Sequence, residues 1–219
     1  MTELFERIPA EKRTRILETA MEEFALCGYE NANTNTIAKK AGISVGSLYQ
    51  YFVSKEDLFL TTVKYCSGLI NETLEDIMQQ EEDILLKVEK VLRAIQKHSR
   101  EHRSMIHLYN EMTTNSNSEL MLQSVDEIEG MPSRMYTDLV RRLQKEGEVR
   151  RDCDPGIFAF LLDNLFMSLQ FSYACEYYAK RFALYAGEDV FHRDDYVVEQ
   201  TLKFVKGAFT EPKNGKRKE

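Results

Sequence analysis

From about residue 9 to residue 209, apolar side chains return every three or four positions, and only four prolines interrupt the 219 residues. That period belongs to a helix, where positions three and four apart share a face. Almost nothing reads as strand, and no internal repeat is visible. The chain is therefore expected to be all-α. Hydrophobic residues make up 43% of it, enough to bury a core in one large domain or two smaller ones.

The first helix is expected near Pro9, a good first-turn residue. Ile16, Leu17, Ala20, Phe24 and Cys27 form its apolar stripe, and Gly28 stops it. A short helix follows over about 34–41 and ends at Gly42. A third starts at Ser44, a good N-cap, and runs to about Phe52. Ser54 and Asp57 have capping-box spacing at the start of a long helix. Further helices are expected over about 55–79, 82–98, 101–114, 119–146, 155–184 and 194–209. Breaks are expected at 113–118, at Gly147 and at Asp154-Pro155-Gly156.

The stretch from Thr34 to Phe52 is the most informative. Two short helices meet at Gly42, which supplies a positive φ. Ile37, Ala38, Ala41, Ile43, Leu48 and Phe52 can point inward together. Val45, Gly46, Ser47, Tyr49, Gln50 and Tyr51 are left as candidates for an exposed face. A short helix that offers hydroxyls, an amide and aromatic rings beside lysines fits the major groove of DNA. Residues 31–55 hold Lys39, Lys40 and Lys55 and no acid, although the whole chain carries a net charge of -7. A local basic surface on an acidic protein suits a binder that meets phosphates with one face.

The pattern runs from Arg13, Ile16, Leu17, Ala20, Phe24, Gly28 and Tyr29 through Ile37-Ala38, Ala41-Gly42, Ser44, Gly46, Leu48-Tyr49 and Tyr51-Phe52 to Lys55-Glu56 and Leu58. Over roughly residues 12–58 it resembles the TetR family of bacterial repressors. The resemblance implies an all-α homodimer: a three-helix helix-turn-helix domain over 1–54, then a larger effector-binding and dimerisation domain over 55–212. It also implies that the third helix binds a near-palindromic operator in double-stranded DNA. A small-molecule effector would then release the DNA. By position, Asn33, Thr34, Ser47, Tyr49, Tyr51 and Lys55 align with family positions that touch the DNA backbone. Asn35, Val45, Gly46 and Gln50 align with positions nearer base edges. Asn33 stands where Ser or Thr is common, and Val45 offers only apolar contact.

The second domain carries no diagnostic motif. Phe158, Leu161, Leu162, Leu165, Phe166, Leu169 and Phe171 put apolar groups on several faces of one helix, so that helix must be buried on several sides. The last helix carries Val197, Leu202, Phe204, Val205, Ala208 and Phe209. In the family the last two long helices pair across a two-fold axis, and a monomer would leave these surfaces exposed. Tyr65, Leu69, Ile95, Tyr109, Met112, Phe166, Gln170 and Tyr173 are the candidate effector contacts, suited to a lipophilic ligand.

A different class is raised by His98-Ser99-Arg100-Glu101-His102, which has the H-x-x-E-H spacing of some zinc hydrolases. His98 and His102 could grip one metal from a single face, with Glu101 between them. Lys97, Arg100 and Arg103 would repel the cation, and no third ligand announces itself. No cofactor motif and no nucleophile elbow appears, so neither a cofactor nor an enzyme is expected. Cys27, Cys66, Cys153 and Cys175 form no CxxC pair and read as reduced thiols. Met1–Glu6 show no basic start and apolar run, so no signal peptide is expected, and no stretch is expected to reach the roughly 18–20 uncharged apolar residues of a membrane span. A cytoplasmic location follows, with no membrane partner. The tail 213–219, with Lys213, Lys216, Arg217 and Lys218, is expected to be unpacked and disordered.

Overall fold

The computed structural model describes residues 1–114 and 119–210. The tail 213–219 lies outside them, as do residues 115–118 of the expected break. Every α-helix and 3₁₀ turn described belongs to an all-α protein, and no strand occurs among the described residues. The α-helices are α1 (Glu3–Arg7), α2 (Ala10–Asn31), α3 (Thr34–Lys40), α4 (Val45–Tyr51), α5 (Lys55–Gln79), α6 (Ile84–Glu101), α7 (Arg103–Thr114), α8 (Glu119–Glu146), α9 (Pro155–Ala174), α10 (Glu176–Ala186) and α11 (Asp194–Phe209). The described residues form two compact units, one within 1–73 and 99–129, the other within 74–98 and 130–210.

In the first unit, α2 buries Ile16, Leu17, Ala20 and Phe24 on one face. Phe24 meets the ring of Phe59 edge-on at 5.0 Å between centroids, a favoured geometry for aromatic quadrupoles. α7 packs along α2 and buries Met105, Ile106, Leu108 and Met112. Gly28 interrupts α2 where the sequence places its stop, and a short helical turn continues beyond it. Its φ is +70°, and three helical residues follow it. A Cβ at Gly28 would fall 2.7 Å from Oε1 of Glu111 on α7, a flexible side-chain end that can shift, so it is the positive φ that favours glycine there.

The short α1 is not visible in the sequence pattern. Five residues carry too little periodicity to read, and tertiary contacts hold them instead. Phe5 is buried with its ring 4.6 Å from that of Phe52. The amide of Thr2 donates to the carbonyl of Tyr51.

The second unit has a continuous apolar core that includes Ile77, Val88, Val91, Ile95, Val140, Phe166, Val198 and Phe209. Asp154 caps α9 by accepting from the Ile157 amide at 2.9 Å, with Pro155 at the first helical position, as helix-start chemistry favours. The expected single helix over 155–184 is instead two. Cys175, at φ -103° and ψ 131°, ends α9 and precedes α10. No proline or glycine marks the break, because the residues around it are set by packing: the Phe171 ring lies tilted against Tyr178, and Tyr173 meets Phe191 edge-on. A 3₁₀ turn at Glu188–His192, also not foreseen, leads towards α11.

α9 corrects one further expectation. Its 20 residues, with mean hydropathy 1.3 over an 18-residue window, are long and apolar enough to cross a membrane by length and composition. Its one charged residue is Asp163, and 44% of that window is buried inside the protein. The four cysteines are free thiols, and burial pushes the Cys66 thiol up to about 12.

Candidate nucleic-acid interface

α3 and α4 are each seven residues long, too short to persist alone, so their ends are fixed by specific bonds. Asn33 caps α3 by accepting from the Asn35 amide at 2.9 Å. Beyond α3 the Gly42 amide donates to the Lys39 carbonyl and the Ile43 amide to the Ala38 carbonyl. With Gly42 at φ +70°, this is a Schellman turn, which satisfies carbonyls the helix end leaves open. Ser44 then caps α4, its Oγ accepting from the Ser47 amide at 3.0 Å. Ile37, Ala38, Ala41, Leu48 and Phe52 are buried, so the inward face expected for the two helices forms, with Ile43 half-buried.

Of the candidate DNA contacts, Asn33, Asn35, Gly46, Tyr49 and Gln50 are exposed, and Thr34, Val45, Ser47 and Lys55 are half-buried. Tyr51 is the exception to the expected exposed face: only 6% of it is exposed. Its ring lies 5.8 Å from that of Phe5, and its hydroxyl accepts from Lys12 Nζ at 3.3 Å. Thr34 and Tyr49 share a hydrogen bond of 3.1 Å between their hydroxyls. One hydroxyl donates there, and the other keeps its proton for an outside acceptor such as a phosphate oxygen.

Lys55 donates to the Glu30 carbonyl at 2.9 Å and lies 5.0 Å over the ring of Tyr29. It thus supports the carbonyl end of α2 with a cation, the sign that end favours. An ammonium has three donors, so this bond leaves capacity for a phosphate. Burial, with the charges of Glu56 and Glu30 behind it, raises the pKa of the Tyr29 phenol. At the start of α5 the capping box is half made. The Asp57 amide donates to Ser54 Oγ at 3.1 Å, but the Asp57 carboxylate accepts from Val53 rather than from Ser54.

Sequence reasoning missed Glu23. It is buried on α2, where its carboxylate reaches the Asn33 amide at 3.3 Å and Lys40 Nζ at 3.2 Å. The available signal was its position: an acid three residues after Ala20 and one before Phe24, on the stripe that the core requires to be apolar.

The eight candidate effector contacts divide between the units. Tyr65 and Leu69 on α5 and Tyr109 and Met112 on α7 belong to the first; Ile95 on α6 and Phe166, Gln170 and Tyr173 on α9 belong to the second. Met112, Ile95, Phe166 and Tyr173 are buried, and Leu69 is exposed. The Tyr109 hydroxyl donates to Glu129 at 2.7 Å. Within the second unit Ile95, Phe166 and Tyr173 belong to one core. A cleft of about 470 Å³ in that unit is lined by Glu81, Glu82, Asp83, Arg142, Glu146 and Glu148, among others, and by none of the eight. His98 and Glu101 lie on α6, and His102 follows its end. Among the described residues no three His, Cys, Asp or Glu side chains come together to hold a metal.

The family model for bacterial regulatory proteins of the tetR family matches residues 16–62. The transcriptional regulator YhgD of Bacillus subtilis is 25% identical over 170 residues, 74% of this chain and 84% of that protein. The fatty acid metabolism regulator protein of the same organism is 32% identical over 87 residues, 40% of this chain and 43% of that protein. The fold is also that of the transcriptional regulator FadR from Bacillus subtilis solved with stearoyl-CoA. The TM-score is 0.68 at 20% identity, covering 86% of this chain and 97% of that one. The helix-turn-helix, its caps and these similarities agree: the chain belongs to the TetR family of bacterial transcriptional regulators.

Proposed function

We propose that this protein is a cytoplasmic, ligand-responsive repressor that binds a near-palindromic operator as a homodimer and is released by a small lipophilic effector. It acts by binding and catalyses no reaction. The observation that carries the reading is the α3–turn–α4 unit, whose polar groups Asn35, Tyr49 and Gln50 are exposed above a fully apolar underside. Asn33, Thr34, Ser47, Tyr49, Tyr51 and Lys55 serve the DNA backbone. Asn35, Val45, Gly46 and Gln50 serve base edges, where a Gln amide matches N6 and N7 of adenine.

Dimerisation is supported by exposed apolar side chains in the second unit. Ile157, Phe160 and Leu161 on α9 and Phe204 on α11 are each more than 60% exposed, a liability for a monomer. A two-fold dimer presents two recognition helices and so calls for a two-fold operator. A lipophilic effector is supported by two similar proteins, the fatty acid metabolism regulator protein and the FadR regulator solved with stearoyl-CoA. Tyr65, Leu69, Ile95, Tyr109, Met112, Phe166, Gln170 and Tyr173 remain the residues proposed to meet it. Release requires the effector to favour the DNA-free state. A coupling of about 1–3 kcal/mol shifts operator affinity about 5–150-fold.

The test is operator binding by wild type and by a Tyr49→Ala, Gln50→Ala, Lys55→Ala triple variant, followed by a thermal-shift screen with acyl-CoAs, fatty acids, steroids and zinc. Compounds that raise the melting temperature are retested for operator release. Unchanged affinity in the triple variant sinks the DNA assignment. An operator complex that no compound disturbs sinks the effector assignment.

A further inference from the structure

Glu23 is only 5% exposed, yet its carboxylate touches both ends of α3. Oε1 accepts from the backbone amide of Asn33, the N-cap, at 3.3 Å. Oε2 pairs with Nζ of Lys40, the last residue of the helix, at 3.2 Å. A seven-residue helix is about 10 Å long, so one acidic group on α2 bridges α3 from end to end. The core offers α3 far less. Ile37 and Ala38 are its only fully buried residues, and two adjacent apolar side chains define its rotation and axial position poorly. α3 passes directly through the Gly42 turn into α4, so whatever fixes α3 also aims α4.

The pair has a second consequence. Lys40 is one of the three cations in residues 31–55. Its side chain is half exposed but its ammonium is bound to a buried anion. A cation so paired is a poor partner for phosphate, because leaving would strand a buried carboxylate.

We propose that Glu23 is a positioning residue for DNA recognition: it clamps α3 at both ends, so orienting α4, and withholds the Lys40 charge from the phosphate backbone. This rests on the DNA-binding reading above. The two variants of Glu23 differ in which of these bonds they remove. Glu23→Gln retains an acceptor for the Asn33 amide but frees Lys40. Glu23→Ala removes both bonds.

The experiment has one arm without DNA and one with it. Amide hydrogen exchange on the free protein reads the clamp directly. Glu23→Ala is expected to speed exchange at Asn33 and through α3 about tenfold or more, leaving α9 and α11 unchanged. Exchange in α3 that stays at the wild-type rate overturns the clamp. In the second arm, binding to a promoter fragment and to random-sequence DNA is measured from low to high salt. Glu23→Gln is expected to lower the specific-to-random affinity ratio several-fold. It should also steepen the salt dependence of random-DNA binding by about one phosphate contact per protomer, a slope change near 0.9. Lys40→Met should lower the ratio without steepening the slope, and the double variant should be no worse than either alone.

Simple destabilisation would not add a phosphate contact, so an unchanged slope and ratio in Glu23→Gln overturn the charge-withholding role. A wild-type protein that binds no DNA refutes the DNA-binding reading, and with it the role proposed in recognition. The exchange arm then still decides whether Glu23 clamps α3.

Discussion

α4 is seven residues long and buries two of them, whereas α9 is twenty long and buries seven. Different forces hold the two helices. α4 depends on the Ser44 cap, the Gly42 turn and the Thr34–Tyr49 hydrogen bond. α9 also has a cap, at Asp154, but one face of it, with Ala159, Leu162 and Phe166, sits in the core beside Tyr136. Burial of one large apolar side chain stabilises by about 1.5–3 kcal/mol, more than a typical cap at about 1 kcal/mol. A surface that must meet DNA cannot spend its exposed residues on burial. It therefore depends on polar devices, which are short-range and directional. A packing helix has no such constraint and uses area.

The largest test of this contrast is Phe166→Ala. The residue is buried at the centre of the α9 packing, and truncation is expected to cost about 3–5 kcal/mol through lost burial plus a cavity. Chemical denaturation of the purified variant measures it. A loss below about 1 kcal/mol would mean that α9 does not rest on area, and the comparison would fail on that side.

Gln96 is one of the buried polar residues of the second unit, with Lys87 and Ser172. It is buried, and its Nε2 donates to the Tyr173 hydroxyl and to the Asp194 carbonyl, both at 3.0 Å. It thereby ties α6 to α9 and to the start of α11. Gln96→Ala is expected to cost about 1–3 kcal/mol, since it leaves buried groups short of a partner. Adding Tyr173→Phe should recover part of that loss, because the hydroxyl that loses its Gln96 donor is removed with it. If the double variant is as unstable as the sum of the singles, the bond is incidental and the unit is held by area alone.

Local devices were legible in the sequence, and tertiary ones were not. Ser44, Gly42, Ser54 and Asp154-Pro155 each announce a helix end in one or two residues, and each end lies where that chemistry puts it. The break at Cys175 has no such marker, because a buried thiol looks like any core residue to a periodicity argument. α1 was hidden for the same reason: its burial against Phe52 is a contact across 47 positions. At the candidate interface, residue types and spacing identified the helices. The burial of Tyr51 and the Glu23–Lys40 pair needed coordinates, since both depend on how α2 meets α3 and α4. The candidate effector residues were the least legible, because Met and aromatic side chains at helical spacing fill cores and line cavities alike.

Gly42→Ala comes next in size. A Cβ there would meet nothing closer than 3.9 Å, from Nη2 of Arg15, so the cost is not steric crowding. It is the left-handed backbone at φ +70°, worth about 1–2 kcal/mol for an alanine. Because the turn aims α4, operator affinity is expected to fall together with stability. Stability falling by that amount with affinity untouched would separate the turn from recognition and weaken the claim that the interface rests on such devices.

The smallest effect has the opposite sign and probes the same residue type in the other setting. Gly68 lies inside α5, its backbone has no positive φ, and a Cβ would find nothing within 4 Å. Helix formation there costs more entropy with glycine than with alanine, by about 0.5–1 kcal/mol. Gly68→Ala is therefore expected to raise stability by that amount, a change small beside Phe166→Ala but opposite to Gly42→Ala. The two glycines differ only in what their surroundings ask of the backbone: at Gly42 a turn needs φ above zero, and at Gly68 a long helix asks for nothing. A gain in stability that leaves operator affinity unchanged is the expected result. A loss of stability would show that α5 needs flexibility or close approach at that point, and that a long helix here also depends on a single-residue device.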